Sequence, residues 1–155
     1  MFAVITVITV NYAYSLYMAN LHSVVYLSSS FGLMSDAELE ALLIEARQFN
    51  QAHEITGVLL YAGGTFMQCL EGEEYEVELV YERIKDSSQH RGITELMKRP
   101  IKERSFPDWL MGLSRPTASE LLQLGKANWS KALAHQSLKD SIESRLLKNF
   151  WRRAP

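Results

Sequence analysis

The sequence predicts an α+β fold of the ferredoxin-like kind, in which two helices lie on one face of a sheet. Segments with strand-like alternation and segments with a helical repeat follow one another in the order β-α-β-β-α-β. A further strand and C-terminal helices come after them, so we expect a five-stranded mixed sheet. The 155 residues, 47% of them hydrophobic, are enough for one domain with a proper core.

The first strand and the first helix are marked by different periodicities. Residues 21–28 divide by a period of two into the two faces of a strand, and a loop through Gly32 follows. Ser35 or Asp36 then caps a helix that runs to about Asn50. Its inward face is predicted to carry Leu39, Leu42, Leu43, Ala46 and Phe49.

A β-hairpin follows this helix. Residues 55–61 form a β-branched and apolar strand, and Gly63 and Gly64 lie in the turn after it. Residues 65–70 supply the second strand of the hairpin. Residues 73–87 return to a helical repeat, whose inward residues are Val77, Val80, Tyr81 and Ile84.

The last elements are two strands and two helices. Residues 93–99 are a predicted strand that Pro100 stops, and residues 108–114 are the predicted fifth strand. Residues 117–126 and 133–151 are predicted helices. At the other end, residues 1–17 carry no charged side chain, and we expect them to be an N-terminal extension to a domain that begins near Met18.

Two polar side chains point to a site at the centre of the sheet. Right-handed crossovers place the first and third strands side by side there, and these strands carry Tyr26 and Gln68. A buried primary amide costs roughly 1–3 kcal/mol unless its donors and acceptor are paired. An amide that turns end for end also exchanges a donor for an acceptor. We therefore expect the phenol and the amide to form one polar site.

Composition argues against several classes of function. The net charge of −2, without a long Lys/Arg block, argues against nucleic-acid and membrane-surface binding. The four histidines show no metal-ligand spacing, and no phosphate-binding glycine motif is present. Cys69, the single cysteine, fits a buried hydrophobe in a reducing cytoplasm. Glu71, Glu73 and Glu74 are interpreted as a charged cluster at a helix start.

Several segments together resemble the BLUF family, the blue-light sensors that use flavin. They are Val24-Val25-Tyr26-Leu27-Ser28, Ala46-Arg47-Gln48-Phe49-Asn50, Ile55-Thr56-Gly57-Val58-Leu59-Leu60-Tyr61, Phe66-Met67-Gln68-Cys69-Leu70-Glu71-Gly72, Arg83-Ile84, His90, and Arg104-Ser105-Phe106-Pro107-Asp108-Trp109-Leu110-Met111-Gly112. The resemblance covers residues 21–114. Each piece alone has a plainer interpretation as a core, cap or surface residue, but their combined order is specific.

The resemblance implies a non-covalent FAD between the two helices, with its ring against the sheet. It also assigns roles to seven residues of this chain. Those implied to be photoactive are Tyr26, Gln68, Trp109 and Met111, and those implied to bind the cofactor are Tyr26, Asn50, Gln68, Arg83, His90 and Met111. Trp109 and Met111 are two apart on a predicted strand, so we expect them to share one face.

The resemblance further implies a light reaction. Tyr26, whose pKa is ordinarily about 10, gives an electron and a proton to excited flavin, and Gln68 then rotates or changes tautomer. The chain departs from the family pattern at Phe49, where a polar residue is common. It also departs at Ser87 and Gln89, which stand where the family has an Asp and an Arg, and an acid stands at Asp86 instead.

These features predict a photoreceptor rather than an enzyme. Residues 18–115 form the expected sensor domain, and residues 116–155 form a helical region for output or capping. Its apolar residues either cover the open sheet face or supply an interface for a homo-oligomer or an unidentified effector protein. The alternatives are a flavin-dependent reductase, and a ferredoxin-like interaction module that has lost its flavin.

Overall fold

The computed structural model describes residues 20–126. The expected N-terminal extension, residues 1–17, and the predicted helix at residues 133–151 lie outside the described residues.

The described residues form five strands and three helices in the predicted order. They are β1 (Leu21–Ser29), α1 (Asp36–Ala52), β2 (Thr56–Ala62), β3 (Thr65–Glu73), α2 (Glu74–Asp86), β4 (Arg91–Pro100), β5 (Gly112–Ser114) and α3 (Ala118–Lys126). The strand order is β4-β1-β3-β2-β5, with β5 parallel to β2 and the other neighbours antiparallel. The prediction of a five-stranded mixed sheet of ferredoxin-like order is confirmed.

Helix α1 begins where the sequence predicts it. The Ser35 hydroxyl accepts a hydrogen bond from the Glu38 backbone N–H at 3.3 Å, and the Glu38 carboxylate accepts one from the Ser35 N–H at 2.8 Å. This reciprocal pair is a capping box, which satisfies two amides that the helix itself leaves unpaired. It fixes the entry of the chain into the helix that forms one wall of the site.

The two faces of the sheet are covered by different elements. Tyr26, Leu59 and Leu70 belong to a buried cluster that includes side chains of α1 and α2. Val25, Val58, Leu60, Met67 and Cys69 face the other way and pack with Leu121 and Leu124 of α3. Part of the apolar surface after residue 116 therefore covers the back of the sheet, whereas Leu122 is 59% exposed.

The predicted fifth strand is too long. It was expected over residues 108–114, but β5 comprises Gly112–Ser114 alone. The Trp109 N–H donates to the Phe106 carbonyl at 3.3 Å, and the Trp109 carbonyl accepts from the Gly57 N–H at 2.9 Å. Because the Trp109 N–H closes a turn at residues 106–109, residues 108–111 form a loop rather than a strand. Trp109 and Met111 therefore do not alternate as residues of one strand do.

Gly57 gives a test of this packing. Its backbone φ is 157°, and a Cβ there would lie 1.9 Å from the Cys69 carbonyl oxygen on the neighbouring strand. Gly57→Ala is therefore expected to lower the free energy of unfolding by about 2 kcal/mol or more, because the strands would have to separate. Urea unfolding followed by circular dichroism measures this.

Gly32→Ala is the matched control for the Gly57 substitution. A Cβ at Gly32 would meet nothing within 4 Å. We expect it to change the free energy of unfolding by less than about 0.5 kcal/mol. Equal unfolding midpoints for the two variants would contradict the close approach of β2 and β3 at Gly57.

Candidate functional site

A cavity of about 570 Å³ opens between α1 and α2 above the sheet. Its walls are apolar where Leu42, Ala46, Val80 and Ile84 face each other, and Leu59 and Gln68 of the sheet also line it. Asn50 stands on the α1 side, and Arg83 and residues 86–90 lie on the other. The volume is that of a small-molecule site, which typically occupies roughly 300–1,000 Å³.

Tyr26, Gln68 and Met111 form a hydrogen-bonded chain beside the cavity. The Tyr26 hydroxyl donates to Gln68 Oε1, and Gln68 Nε2 donates to Met111 Sδ at 3.3 Å. Tyr26 is fully buried, Gln68 is 5% exposed and Met111 is 1% exposed. The register pairs Tyr26 directly with Gln68 across β1 and β3, so the two central strands bring the phenol and the amide together.

Burial sets the protonation of this phenol. It raises the pKa of Tyr26 well above its ordinary value, with a smaller contribution from the neighbouring Tyr81. The phenol is therefore protonated at neutral pH and acts as the donor to the amide. With Oε1 accepting from Tyr26 and Nε2 donating to sulfur, the orientation of the Gln68 amide is fixed.

The end of α1 holds the segment that carries Met111. Asn50 Nδ2 donates to the Leu110 carbonyl at 2.6 Å, and Arg47 Nε donates to the Met111 carbonyl at 3.0 Å. Asn50 is 2% exposed, so the side chain predicted to face a cofactor also anchors the loop before β5. Arg47 has no site role in the sequence analysis, because its partner lies 64 residues away in an irregular segment.

Arg83 connects the two helices at the cavity mouth. Its guanidinium lies 2.7 Å from the Glu45 carboxylate, with both side chains more than half exposed. The same guanidinium sits 4.3 Å from the centre of the Phe49 ring. Phe49, which departs from the family pattern, thus packs under Arg83, the one Lys or Arg side chain among the described residues that line the cavity.

His90 lies at the end of the cavity near Tyr26. Its Nδ1 is 2.8 Å from the Ser28 hydroxyl, and its ring centre is 4.9 Å from that of Phe66. Burial lowers the pKa of His90 to about 4, so the imidazole is neutral at pH 7. A neutral ring contributes hydrogen bonding and packing to the site but no positive charge.

This histidine makes stability dependent on pH. Its pKa is about 4 in the folded protein and roughly 6.5 in the unfolded chain, so acidification through this range protonates the unfolded chain first. The folded protein should lose about 1–3 kcal/mol of stability from this group as pH falls from 6.5 to 4. Urea unfolding at neutral and acidic pH measures the loss.

His90→Gln is the control for the pH effect. It keeps a polar partner for Ser28 but cannot titrate, so the loss of stability on acidification should be smaller than in the parent. Other titrating groups act equally in both proteins, and the difference isolates His90. Identical pH dependence in parent and variant would contradict a depressed pKa at this position.

Trp109 lies on the side of the sheet opposite to Met111, so the expectation that both share one face is wrong. Trp109 packs with the buried cluster that includes Leu121 and Leu124 of α3 on the back of the sheet. It also stacks on Phe106, with ring centres 5.2 Å apart. Met111 belongs to the cluster under the helices. The physical reason is the turn at residues 106–109, which replaces strand alternation before β5.

The interpretation of Glu71 as part of a charged helix start is also wrong. Glu71 is fully buried in β3, on the same face as Met67 and Cys69. Its carboxylate accepts hydrogen bonds from the backbone N–H groups of Ser105 and Phe106. Burial raises the pKa of Glu71, and these N–H donors offset part of that effect. The alternation along β3 was the signal that could have placed this side chain inward.

The residues present fit a flavin. The apolar walls suit a flat ring, the Asn50 and Gln68 amides offer donors and acceptors at its edge, and Arg83 can pair a phosphate. Within residues 20–126, no group of His, Cys, Asp or Glu side chains is arranged to hold a metal ion. None of the helices in that range is long and apolar enough to cross a bilayer.

Comparison with known proteins matches this site to a family. The family model for BLUF, described as sensors of blue-light using FAD, matches residues 21–112. The photoactivated adenylate cyclase subunit beta of Euglena gracilis is 34% identical over 92 residues. That alignment takes in 59% of this chain and 11% of the relative, so the chain spans about a tenth of this curated relative.

Two solved structures are similar over most of the chain. The photo-activated state of BlsA is 31% identical, with a TM-score of 0.62, and covers 85% of this chain and 92% of that one. The dark state of BlrB, a BLUF protein, is 26% identical, with a TM-score of 0.65, and covers 85% and 98% of the two chains. Together with the family match, which includes Tyr26, Asn50 and Gln68, they show that this chain belongs to the BLUF family, the sensors of blue light using FAD.

Proposed function

We propose that this sensor responds to light through Tyr26 and Gln68, and that it signals through contact with another protein. The observation that carries the proposal is the buried chain from the Tyr26 hydroxyl through the Gln68 amide to the Met111 sulfur. This hydrogen-bonded chain lies at the edge of the cavity whose walls fit a flavin ring. A chemical change at the bound ring would therefore reach Met111 through the Gln68 amide.

Tyr26 is the electron donor in this proposal. Flavin, when bound, supplies a blue-absorbing ring that becomes a strong oxidant of a neighbouring phenol on excitation. Tyr26 would give one electron to the excited ring, and its hydroxyl proton would pass to Gln68 Oε1 along the hydrogen bond that joins them. Electron and proton both return to Tyr26, so the phenol is restored and the lasting change is in the amide.

Gln68 stores the change by rotation or by a change of tautomer. Rotation would turn Nε2 toward Tyr26 and Oε1 toward Met111. The N–H···S hydrogen bond would then be lost, and two acceptors, Gln68 Oε1 and Met111 Sδ, would face each other. That arrangement is unfavourable, so Met111 has to move. A new donor toward the flavin carbonyl would lower its excitation energy and shift absorption to the red.

Asn50, Arg83 and His90 have binding roles. Asn50 would hold the ring edge while its Nδ2 retains the Leu110 carbonyl; its position in the cavity lining supports this role. Arg83 can pair a flavin phosphate at the cavity mouth, in exchange for or alongside Glu45. His90, neutral at pH 7, closes the end of the cavity next to Tyr26 without adding charge.

Output follows from how Met111 is connected. It directly precedes β5, which pairs with β2 and leads to α3 on the back of the sheet. A shift of Met111 thus biases the position of α3. Leu122, exposed on α3, supports a contact surface there, for a cytoplasmic effector protein or a second copy of the chain.

The absorption spectrum of purified protein before and after a blue flash tests this function. We expect a yellow protein whose absorption shifts to longer wavelength and returns in the dark. A colourless protein after incubation with FAD, or a spectrum that ignores the flash, would contradict it. Oxidation of NADH by the protein in the dark would instead support a flavin-dependent reductase.

A further inference from the structure

Glu71 ties the loop before β5 to the back of the sheet. Its carboxylate lies 2.9 and 3.0 Å from the Ser105 backbone nitrogen, and Oε2 lies 3.0 Å from that of Phe106. The side chain is fully buried, on the face of the sheet opposite to Gln68. A buried carboxyl group is costly unless hydrogen bonds satisfy it, and this one is met by main-chain donors.

Arg104 reinforces the same tie. One nitrogen of its guanidinium donates to the Glu71 carbonyl at 2.7 Å and to the Thr56 hydroxyl at 2.9 Å. These bonds join the beginning of residues 104–111, called here the linking segment, to β3 and β2 together. Charge-assisted bonds of this kind hold their geometry more firmly than neutral ones.

The other end of the linking segment is held on the front of the sheet. Leu110 and Met111 accept through their carbonyls from Asn50 and Arg47, and the Met111 sulfur accepts from Gln68. The linking segment therefore runs from an anchor at Glu71 on the back to an anchor at Gln68 on the front. Trp109 lies between these anchors and stacks on Phe106, whose N–H Glu71 holds.

We propose that Glu71 is a positioning residue for the light response. It fixes the end of the linking segment that lies on the back of the sheet, so that movement of Met111 displaces Trp109 relative to Phe106. The inference rests on the proposed function, because it takes the movement of Met111 from the Gln68 rearrangement. With the Glu71 anchor intact, displacement of Met111 has to change the geometry of the residues between Phe106 and Met111. Without it, Phe106 is released and can follow Trp109 when Met111 moves, so the Trp109–Phe106 stack stays as it was.

Fluorine NMR of the FAD-loaded protein with 5-fluorotryptophan tests the inference. The Trp109 signal is identified by its loss in Trp109→Phe, and it is recorded in the dark and under blue light. In the parent we expect a light-induced shift of this signal. Oε2 of Glu71 alone accepts from both N–H groups, so the test substitution must remove every acceptor. In Glu71→Met, which has no acceptor for the Ser105 and Phe106 N–H groups, the flash-induced red shift should persist while the Trp109 shift falls to about half or less.

Glu73→Met is the matched control, because it makes the same change on the same strand at an exposed position. We expect both the red shift and the full Trp109 shift in this variant. If the Trp109 shift is undiminished in Glu71→Met, the positioning role is refuted. A parent with a red shift but no Trp109 shift also refutes it, whereas a parent without a red shift overturns the proposed function itself.

Glu71→Asp provides a second variant should Glu71→Met fail to fold. It keeps the carboxyl group but shortens the side chain by one methylene, so the carboxylate no longer reaches the Ser105 and Phe106 N–H groups at hydrogen-bond distance. We expect a retained red shift with a reduced Trp109 shift. An undiminished Trp109 shift in Glu71→Asp would overturn the inference.

Discussion

Tyr26→Phe is expected to abolish the light-induced red shift while the protein stays yellow. Phenylalanine keeps the ring volume at a fully buried position but has no hydroxyl to give to Gln68 Oε1. It is also a much poorer source of an electron and has no phenolic proton. Because Tyr26 is not among the residues that line the cavity, flavin binding should be retained. Loss of the hydrogen bond should lower stability by about 1–3 kcal/mol.

Tyr61→Phe is the matched control for Tyr26→Phe. Tyr61 is another buried tyrosine of the same core, and its hydroxyl accepts from the Met34 N–H rather than bonding to Gln68. We expect flash spectroscopy to find a normal red shift in this variant. A normal photocycle in Tyr26→Phe, or loss of the cycle in both variants, would contradict the role given to Tyr26.

Gln68→Leu is expected to have an equally large effect on the light response. Leucine fills much of the same space but leaves the Tyr26 hydroxyl without its acceptor and Met111 without its donor. Nothing is then left to record the reaction of the phenol, so no long-lived red-shifted state should form. The helical walls of the cavity remain, and flavin should still bind.

Gln89→Leu is the control for Gln68→Leu. It distinguishes the loss of the Gln68 amide from a mere change in the polarity of the cavity lining. Gln89 also lines the cavity but is exposed at its rim. The same substitution there should leave the size and recovery of the red shift close to those of the parent. A reversible red shift of normal size in Gln68→Leu would show that the signal is stored elsewhere.

The parts of the fold that depend on local pattern could be predicted from the sequence. The alternation of residues 21–28 and the helical repeats gave the element order, and crossover handedness placed Tyr26 beside Gln68. The fifth strand was predicted too long, because the apolar pattern of residues 108–111 does not reveal that the Trp109 N–H closes a turn.

The missed parts of the site depend on contacts between distant residues. Arg47 and Glu71 are ordinary charged residues in the sequence, and their partners lie 64 and 34 residues away in the irregular segment before β5. No periodicity encodes such a pairing. The expectation that Trp109 and Met111 share one face failed for the same reason, since the direction of a loop side chain follows from tertiary anchors.

Light-minus-dark infrared spectroscopy tests most directly whether a photon changes the hydrogen bonds around Gln68. A stronger hydrogen bond weakens a carbonyl bond, so the stretching band of the flavin carbonyl nearest Gln68 should move to lower frequency on illumination and return in the dark. The same band should stay in place in Gln68→Leu. A red shift of the visible absorption with an unmoved carbonyl band in the parent would contradict the account.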